Sequence, residues 1–494
     1  VGPAPYVIRE FVENYLLNKG HPDAAAKPLF YSADQTHKND GDPVGHDEID
    51  VYAYPYTEAN PWRNLTSENG RDCFVQGCSA SGTKVFFLSK RISGATTLYN
   101  NQSLFVNEGG SSMPLFECDS SNIDTENAVD VSRDGDVVFV TENKPPPNEA
   151  SSYTDQVAYL LESGASGPLQ LSTGEGTNVH DALYPRISDN AKHITLTSRT
   201  AYGEHASLGS DSKPPFSPGT TYYDFTETHI WRYSFGFPDE HLRYTYSWIT
   251  EDPGKNPTES YTLPSLWENE DGLITNDGRT CVFSTKWTGQ TTKQVAFARW
   301  TTSDSKWHRG FITRCLSGFA GGPGRVAIFD KGSGLPAIAF FTNVNFDGQE
   351  IDPEDFWDGS ADLAYACQGA QGSHDGKIRI AYLDGPHPDS TIKTLVEFEA
   401  GTDETKIGNL EWSKDGQELV FTAICKRFKV RAGDQGNWID MPDQKEKWGV
   451  FRLRLGGLDE ETETNVTITR CTPDLNADYV NDNGGLNLRA FIGR

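Results

Sequence analysis

Val179-His180-Asp181 sets an imidazole beside a carboxylate. An adjacent acid can orient a histidine ring and hold its pKa near working pH, which makes His180 a candidate base. Neighbours on a strand point to opposite faces, so the pair works only where the chain bends. A hydrogen-bonded structural histidine is the competing reading. Arg199, Tyr202 and His205 follow in a long loop and add two further proton carriers and a cation. Five cations recur at matched points of a repeat set out below: Arg71, Lys90, Arg199, Lys286 and Lys406. The whole chain has 43 basic and 70 acidic residues, a net charge of −27, so cations are over-supplied at these points. In a concave funnel they would concentrate an anion. The bland alternative pairs them with Asp72, Asp181, Glu270 and Asp271 in a structural network. Asn127, Trp287 and Asn343 fall at equivalent points.

This inventory suits elimination from a uronic acid. A base removes the proton α to the carboxylate, cations stabilise the developing enediolate, and the leaving oxygen departs. Arg199 and Arg71 would neutralise the carboxylate, and His180 or a tyrosine would act as base or acid. The predicted catalytic set is therefore His180, Arg199, Tyr202 and His205. The predicted substrate-binding set is Arg71, Lys90, Asn127, Asp181, Glu270, Lys286, Trp287, Asn343 and Lys406. A glycosidase would instead need two carboxylates across the bond, which Asp72, Asp181, Glu270 and Asp271 could supply. A non-catalytic glycan- or protein-binding surface would use the same cations for recognition alone.

A repeat positions these residues. Ser79-Ala80-Ser81-Gly82, Ser132-Arg133-Asp134-Gly135, Ser188-Asp189-Asn190, Thr275-Asn276-Asp277-Gly278 and Ser413-Lys414-Asp415-Gly416 each precede a β-rich run, and Asp330-Lys331-Gly332 is a degenerate copy. Asp-Gly supplies the turn of a hairpin and the following run is a buried strand. A third and often a fourth strand follow, which is the pattern of a propeller blade. The turns are 53, 55, 88, 54 and 84 residues apart, so two blades carry insertions. A further blade spans Pro28 to Thr66, and the tail from Asp478 to Ile492 should complete it. The expectation is an all-β chain with seven four-stranded blades over 28–494, closed by its last strand. Residues 1–27 form an extension, with a short helix over Tyr6 to Leu17. In such blades the loop into the innermost strand and the loop between second and third strands share one face, and the candidate residues all lie on these loops. The insertions over 199–225 and 343–376 lie there too, with Tyr222, Tyr223, Phe356, Trp357 and His374; long loops are often lids.

The Ser-x-Asp-Gly strand-turn pattern resembles the TolB-like repeat family of propellers, over about Pro28 to Thr469. That family includes binding proteins, peptidase propellers and sugar-acid lyases, so the resemblance implies fold and leaves chemistry open. In size and in its signs of secretion the chain also resembles secreted fungal polysaccharide lyases of propeller fold, such as rhamnosyl-glucuronate lyases acting on gum arabic. The implied substrate is an acidic plant or microbial polysaccharide or oligosaccharide. No motif aligns with these lyases, so no residue role is carried over.

The acidic surface argues against nucleic acid. No apolar run reaches the roughly 18 residues of a membrane span. A first residue of Val1 reads as a processed secretory chain. Sequons at Asn64, Asn101 and Asn465 and eight cysteines fit that compartment. Cys281 with Cys315 and Cys425 with Cys471 would each staple one blade. A monomer is expected. The sequence identifies no definite cofactor. Calcium is the one ion suggested, by the loop holding Asp347, Glu350, Asp352, Glu354, Asp355 and Asp358, but Pro353 and the spacing favour a solvated loop. Gly77-Cys78-Ser79-Ala80-Ser81 lacks the second glycine of a nucleophile elbow.

Overall fold

Alternation along the strands decides the architecture. Val85 and Phe87 pack to one side of their sheet, and Phe86 and Leu88 to the other. Val137 and Phe139 likewise part from Val138 and Val140. A sheet apolar on both faces must be covered on both, and a ring of sheets does this without helices.

The computed structural model describes residues 27–33, 49–54, 63–66, 72–93, 97–118, 121–124, 127–143, 155–171, 182–200, 224–234, 245–248, 267–287, 293–301, 306–313, 320–330, 336–343, 376–382, 393–399, 406–424, 427–430, 438–440, 449–455, 467–471 and 490–493. They form a seven-bladed β-propeller. From inside outward, blade 2 is Cys73–Cys78, Lys84–Ser93, Thr97–Glu108 and Ser111–Phe116. Blade 3 is Val129–Val131, Val137–Asn143, Asp155–Leu161 and Leu169–Gln170, with Ser121–Asn122 also on its second strand. Blade 4 is Leu183–Ile187, His193–Thr200, Asp224–Ser234 and Thr245–Trp248. Blade 5 is Trp267–Ile274, Thr280–Trp287, Lys293–Thr301 and Lys306–Phe311. Blade 6 begins Val326–Phe329, Ala337–Thr342, Gly376–Tyr382 and Lys393–Glu399, and blade 7 is Lys406–Trp412, Glu418–Ile424, Gly449–Arg454 and Thr467–Arg470.

Blade 1 is closed by the end of the chain, as expected. Ala490–Ile492 is innermost and pairs antiparallel with Leu29–Ala33, Leu29 opposite Ile492 and Tyr31 opposite Ala490. Seven apolar clusters fill the seven seams between neighbouring blades. The seam between blades 7 and 1 joins Val420 and Val450 to Tyr31 and Ile492.

One feature was not expected. Arg427–Val430 and Trp438–Asp440, from the connection between the second and third strands of blade 7, pair onto the outer strand of blade 6 and widen it to six strands. Lys377 and Lys429 flank Glu397 at 3.7 and 3.5 Å, so a charged row crosses the junction. The added hairpin covers an edge that would otherwise be open.

The hairpin turns interlock on the lower face. The Ala80 N–H donates to the Arg133 carbonyl, and the Arg133 N–H to the Asp189 carbonyl. The Asn190 N–H donates to Asn276 Oδ1 at 3.0 Å, and the Asn276 N–H to Asp330 Oδ2 at 2.7 Å. Lys27 reaches Asp415 at 2.7 Å and ties the start of blade 1 to blade 7. The lower face is thus tied turn to turn.

Cys281 stands as a buried thiol rather than the staple to Cys315 expected of it, Cys78 is a buried thiol too, and Cys73, Cys118 and Cys471 are likewise buried. Burial pushes the Cys78 thiol up to about 12. In this setting the side chains act as small apolar groups in the seams. Cys315, Cys367 and Cys425 lie outside the described residues, as do the helix expected over Tyr6 to Leu17 and the acidic loop from Asp347 to Asp358.

Candidate functional site

Four of the seven innermost strands, those of blades 2, 4, 5 and 7, share a local irregularity toward the upper face. Pairing with the second strand shifts register between Val75 and Gly77, Leu183 and Arg186, Glu270 and Leu273, and Ile407 and Leu410. A bulge re-aims side chains and leaves one residue unpaired. Here it turns polar groups into the space where the blades converge. Asn127, Tyr184 and Asp271 have φ of 58°, 46° and 58°. Asn and Asp tolerate this left-handed region, while in Tyr184 it is strain of about 1–3 kcal/mol, of the kind that gathers at functional sites.

These segments wall a pocket of about 490 Å³ over blades 3 to 6, in the range of small-molecule sites. Blade 3 contributes Asp124, Asn127, Glu142 and Gln156, and blade 4 contributes Ala182, Leu183 and Tyr184. Lys293 reaches it from the start of the third strand of blade 5, and Gly321, Gly322, Pro323 and Arg325 line it ahead of blade 6. A Cβ placed on Gly322 would stand 3.7 Å from Arg325 Cδ and 3.9 Å from Lys293 Cδ, so the two cationic stems flank that glycine. Asp124 and Glu142 supply the carboxylates of the lining.

A buried ion pair is joined to the pocket through Asn127. Arg186 Nε donates to Asp271 Oδ1 at 2.5 Å, and Arg186 Nη2 to Asn127 Oδ1 at 3.3 Å. The second oxygen of Asp271 accepts the Gly324 N–H at 2.7 Å, and the Gly324 carbonyl accepts the Leu410 N–H at 2.8 Å. One layer therefore joins blades 3, 4, 5, 6 and 7. Arg186 is 5% exposed and Asp271 1%. Burial works against the Arg186 charge, but Asp271 and Asp130 outweigh it and hold the guanidinium above its ordinary pKa. Beneath this layer a cavity of about 80 Å³ continues down the axis between Asp130, Asp189, Glu411 and Lys414. Lys414 pairs with Asp189 at 2.8 Å, and this attraction, against burial, raises its pKa.

The pocket lies on the upper face, and its charged lining differs from the set the repeat singled out. Asn127 lines it. Glu270 pairs with Lys293 at 2.8 Å. Asp271, offered as a glycosidase carboxylate, is instead the buried partner of Arg186 and faces no substrate. Asp72 accepts the Ile49 N–H at 3.1 Å, a link between blades 1 and 2. Lys286 is half-buried, opposite Glu268 and Lys293 in register, and is not part of the pocket wall. Asn343 follows Thr342 at the end of a second strand and is also outside the wall.

Lys90, Arg199, Trp287 and Lys406 lie within strands rather than after or before them, Lys90 opposite Gln102 and Lys406 opposite Ile424. Arg71, His180, Asp181, Tyr202 and His205 lie outside the described residues. Sequence reasoning missed Lys293, Arg325, Arg186 and Tyr184. Gly321-Gly322-Pro323-Gly324 ahead of Arg325 was a legible signal, because blade 6 has no other glycine run before its inner strand. Among the described residues no group of three or more His, Cys, Asp and Glu is assembled as a metal site.

No protein-family model matches the chain, and no curated protein matches it. Solved structures do. Prolyl oligopeptidase B from Galerina marginata matches with a TM-score of 0.46 at 9% identity, over 97% of this chain and 55% of that one. An oligogalacturonate lyase from Vibrio parahaemolyticus matches at 0.38 and 9% identity, over 80% and 84%. A putative TolB from Agrobacterium tumefaciens matches at 0.35 and 13% identity, over 79% and 95%. The chain spans little more than half the length of the peptidases it matches. These are likenesses of fold, and the resemblance to secreted fungal lyases rests on no sequence relative.

Proposed function

We propose that the upper-face pocket binds an acidic sugar and that the chain is a carbohydrate-active lyase cleaving at a uronic acid. The observation that carries this is the Lys293–Arg325 pair flanking Gly322 in a polar pocket of about 490 Å³, within a chain of net charge −27. Two adjacent cations in such a wall suit one carboxylate, and they would stabilise the enediolate formed when the α proton leaves. The proton passes to a base, a carbon–carbon double bond forms beside the carboxylate, and the bond to the leaving oxygen breaks. His180 stands two residues before pocket-lining Ala182 and is the proposed base. Tyr184 is the described side chain that could protonate the leaving oxygen. Asp124 and Glu142 suit hydroxyls of a neighbouring sugar. Polymers of this kind are met outside the cell, so secretion and action as a monomer belong to the same proposal.

The test is ultraviolet absorbance of an unsaturated uronate while the chain is mixed with plant gums, pectins and algal polysaccharides. Lys293→Ala and Arg325→Ala should each lower the rate on the responsive polymer by about 100-fold. His180→Ala should abolish it. A second reading, hydrolysis, is favoured by Asp124 and Glu142 sharing the pocket. New reducing ends without the absorbance would select it. Binding with neither signal would leave a recognition propeller.

A further inference from the structure

We propose that Asp271 is the positioning residue of this pocket, setting from beneath the segment that carries Arg325; the role rests on the uronate reading above. Two consecutive acids of blade 5 divide the work. Glu270 holds Lys293 at 2.8 Å, and the bulge that follows turns Asp271 the other way. Its Oδ2 accepts the Gly324 N–H at 2.7 Å, one residue from Arg325. Its Oδ1 takes Arg186 Nε at 2.5 Å, and Arg186 carries the constraint on to Asn127 at 3.3 Å. Asn127 in turn abuts residues 321–325: a Cβ on Gly324 would lie 2.9 Å from Asn127 Oδ1. Gly324 has a φ of +70°, so the segment turns where a side chain would be both strained and crowded.

Asp271 is 1% exposed and cannot touch substrate. Its charge is cancelled by Arg186, so it contributes geometry to the pocket and little field. Through these contacts one carboxylate fixes the spacing of the Arg325 and Lys293 stems, on which recognition of a single carboxylate depends.

Two variants test this, because Asp271→Asn leaves a buried guanidinium poorly paired and could fail to fold. Asp271→Asn meets either the Arg186 Nε–H or the Gly324 N–H with its own donor. Gly324→Ala disturbs the same contact and leaves the ion pair intact. Amide hydrogen exchange should quicken by about tenfold in 320–326 for either variant, with the outer strands of all blades as protected as in the unaltered chain. Calorimetric affinity for D-glucuronate should fall by about tenfold with it. Unchanged exchange in 320–326 overturns the positioning role, and so does faster exchange spread evenly through the blades. An unaltered chain that does not bind D-glucuronate overturns the uronate reading and the pocket role of Asp271 together, whatever the exchange shows.

Discussion

Replacing Asn409 should loosen the terminal strand that closes the ring against Leu29–Ala33. The terminal strand is innermost in blade 1, and Ala490 turns its N–H and C=O toward blade 7. Asn409 meets both: Nδ2 donates to the Ala490 carbonyl at 2.8 Å, and Oδ1 accepts the Ala490 N–H at 3.0 Å. Asn409 is 2% exposed and Ala490 fully buried, so water does not replace these partners cheaply. An unsatisfied buried backbone group costs about 1–3 kcal/mol. Asn409→Ala leaves two, and partial hydration of the gap brings the expected loss to about 2–4 kcal/mol. Asn409→Asp keeps the acceptor but sets a carboxylate against the Ala490 carbonyl, and should cost at least as much. Urea unfolding followed by tryptophan fluorescence reads the change as a shift in midpoint at constant slope. Protease should release the C-terminal segment from both variants faster than from the unaltered chain. A loss below about 0.5 kcal/mol would refute the reasoning, because a surface-like effect means strand pairing and the seam core close the ring alone.

Three further outcomes follow from the buried charges and the pocket. Arg186→Met and Asp271→Leu should each cost about 3–5 kcal/mol, because either strands a buried charge, while the double variant should cost less than the two together; additive costs in urea unfolding would show the pair to be independent. His193, which contacts Ser234 Oγ at 2.9 Å, is held down to about 4 by burial and by the Arg232 charge, from 6.5. The folded state therefore resists protonation, stability is whole above pH 6.5, and up to about 3 kcal/mol is lost as the pH falls toward 4; His193→Gln should flatten that limb of the stability profile, and an unchanged limb would assign it to other groups. Binding of D-glucuronate should weaken with added salt, since Lys293 is partly exposed at 28% and screened accordingly; salt-independent binding would place the ligand elsewhere.

The repeat of turn and strand, read from Ser79-Ala80-Ser81-Gly82 onward, was enough for the propeller, its seven blades and its closure by the tail. Those features are local. A tight turn and a strand apolar on both faces are encoded within about ten residues, and stacking such units leaves few arrangements. Which charges meet on the axis was not legible in the same way. Arg186 and Asp271 are 85 residues apart, and neither has a sequence neighbour that announces the other. Glu270 and Asp271 look alike in sequence, yet a register shift sends one to Lys293 and the other to Arg186. Only the convergence of five blades decides whether a carboxylate is a buried strut or part of a pocket wall, because that depends on what stands opposite it and how much water is left between.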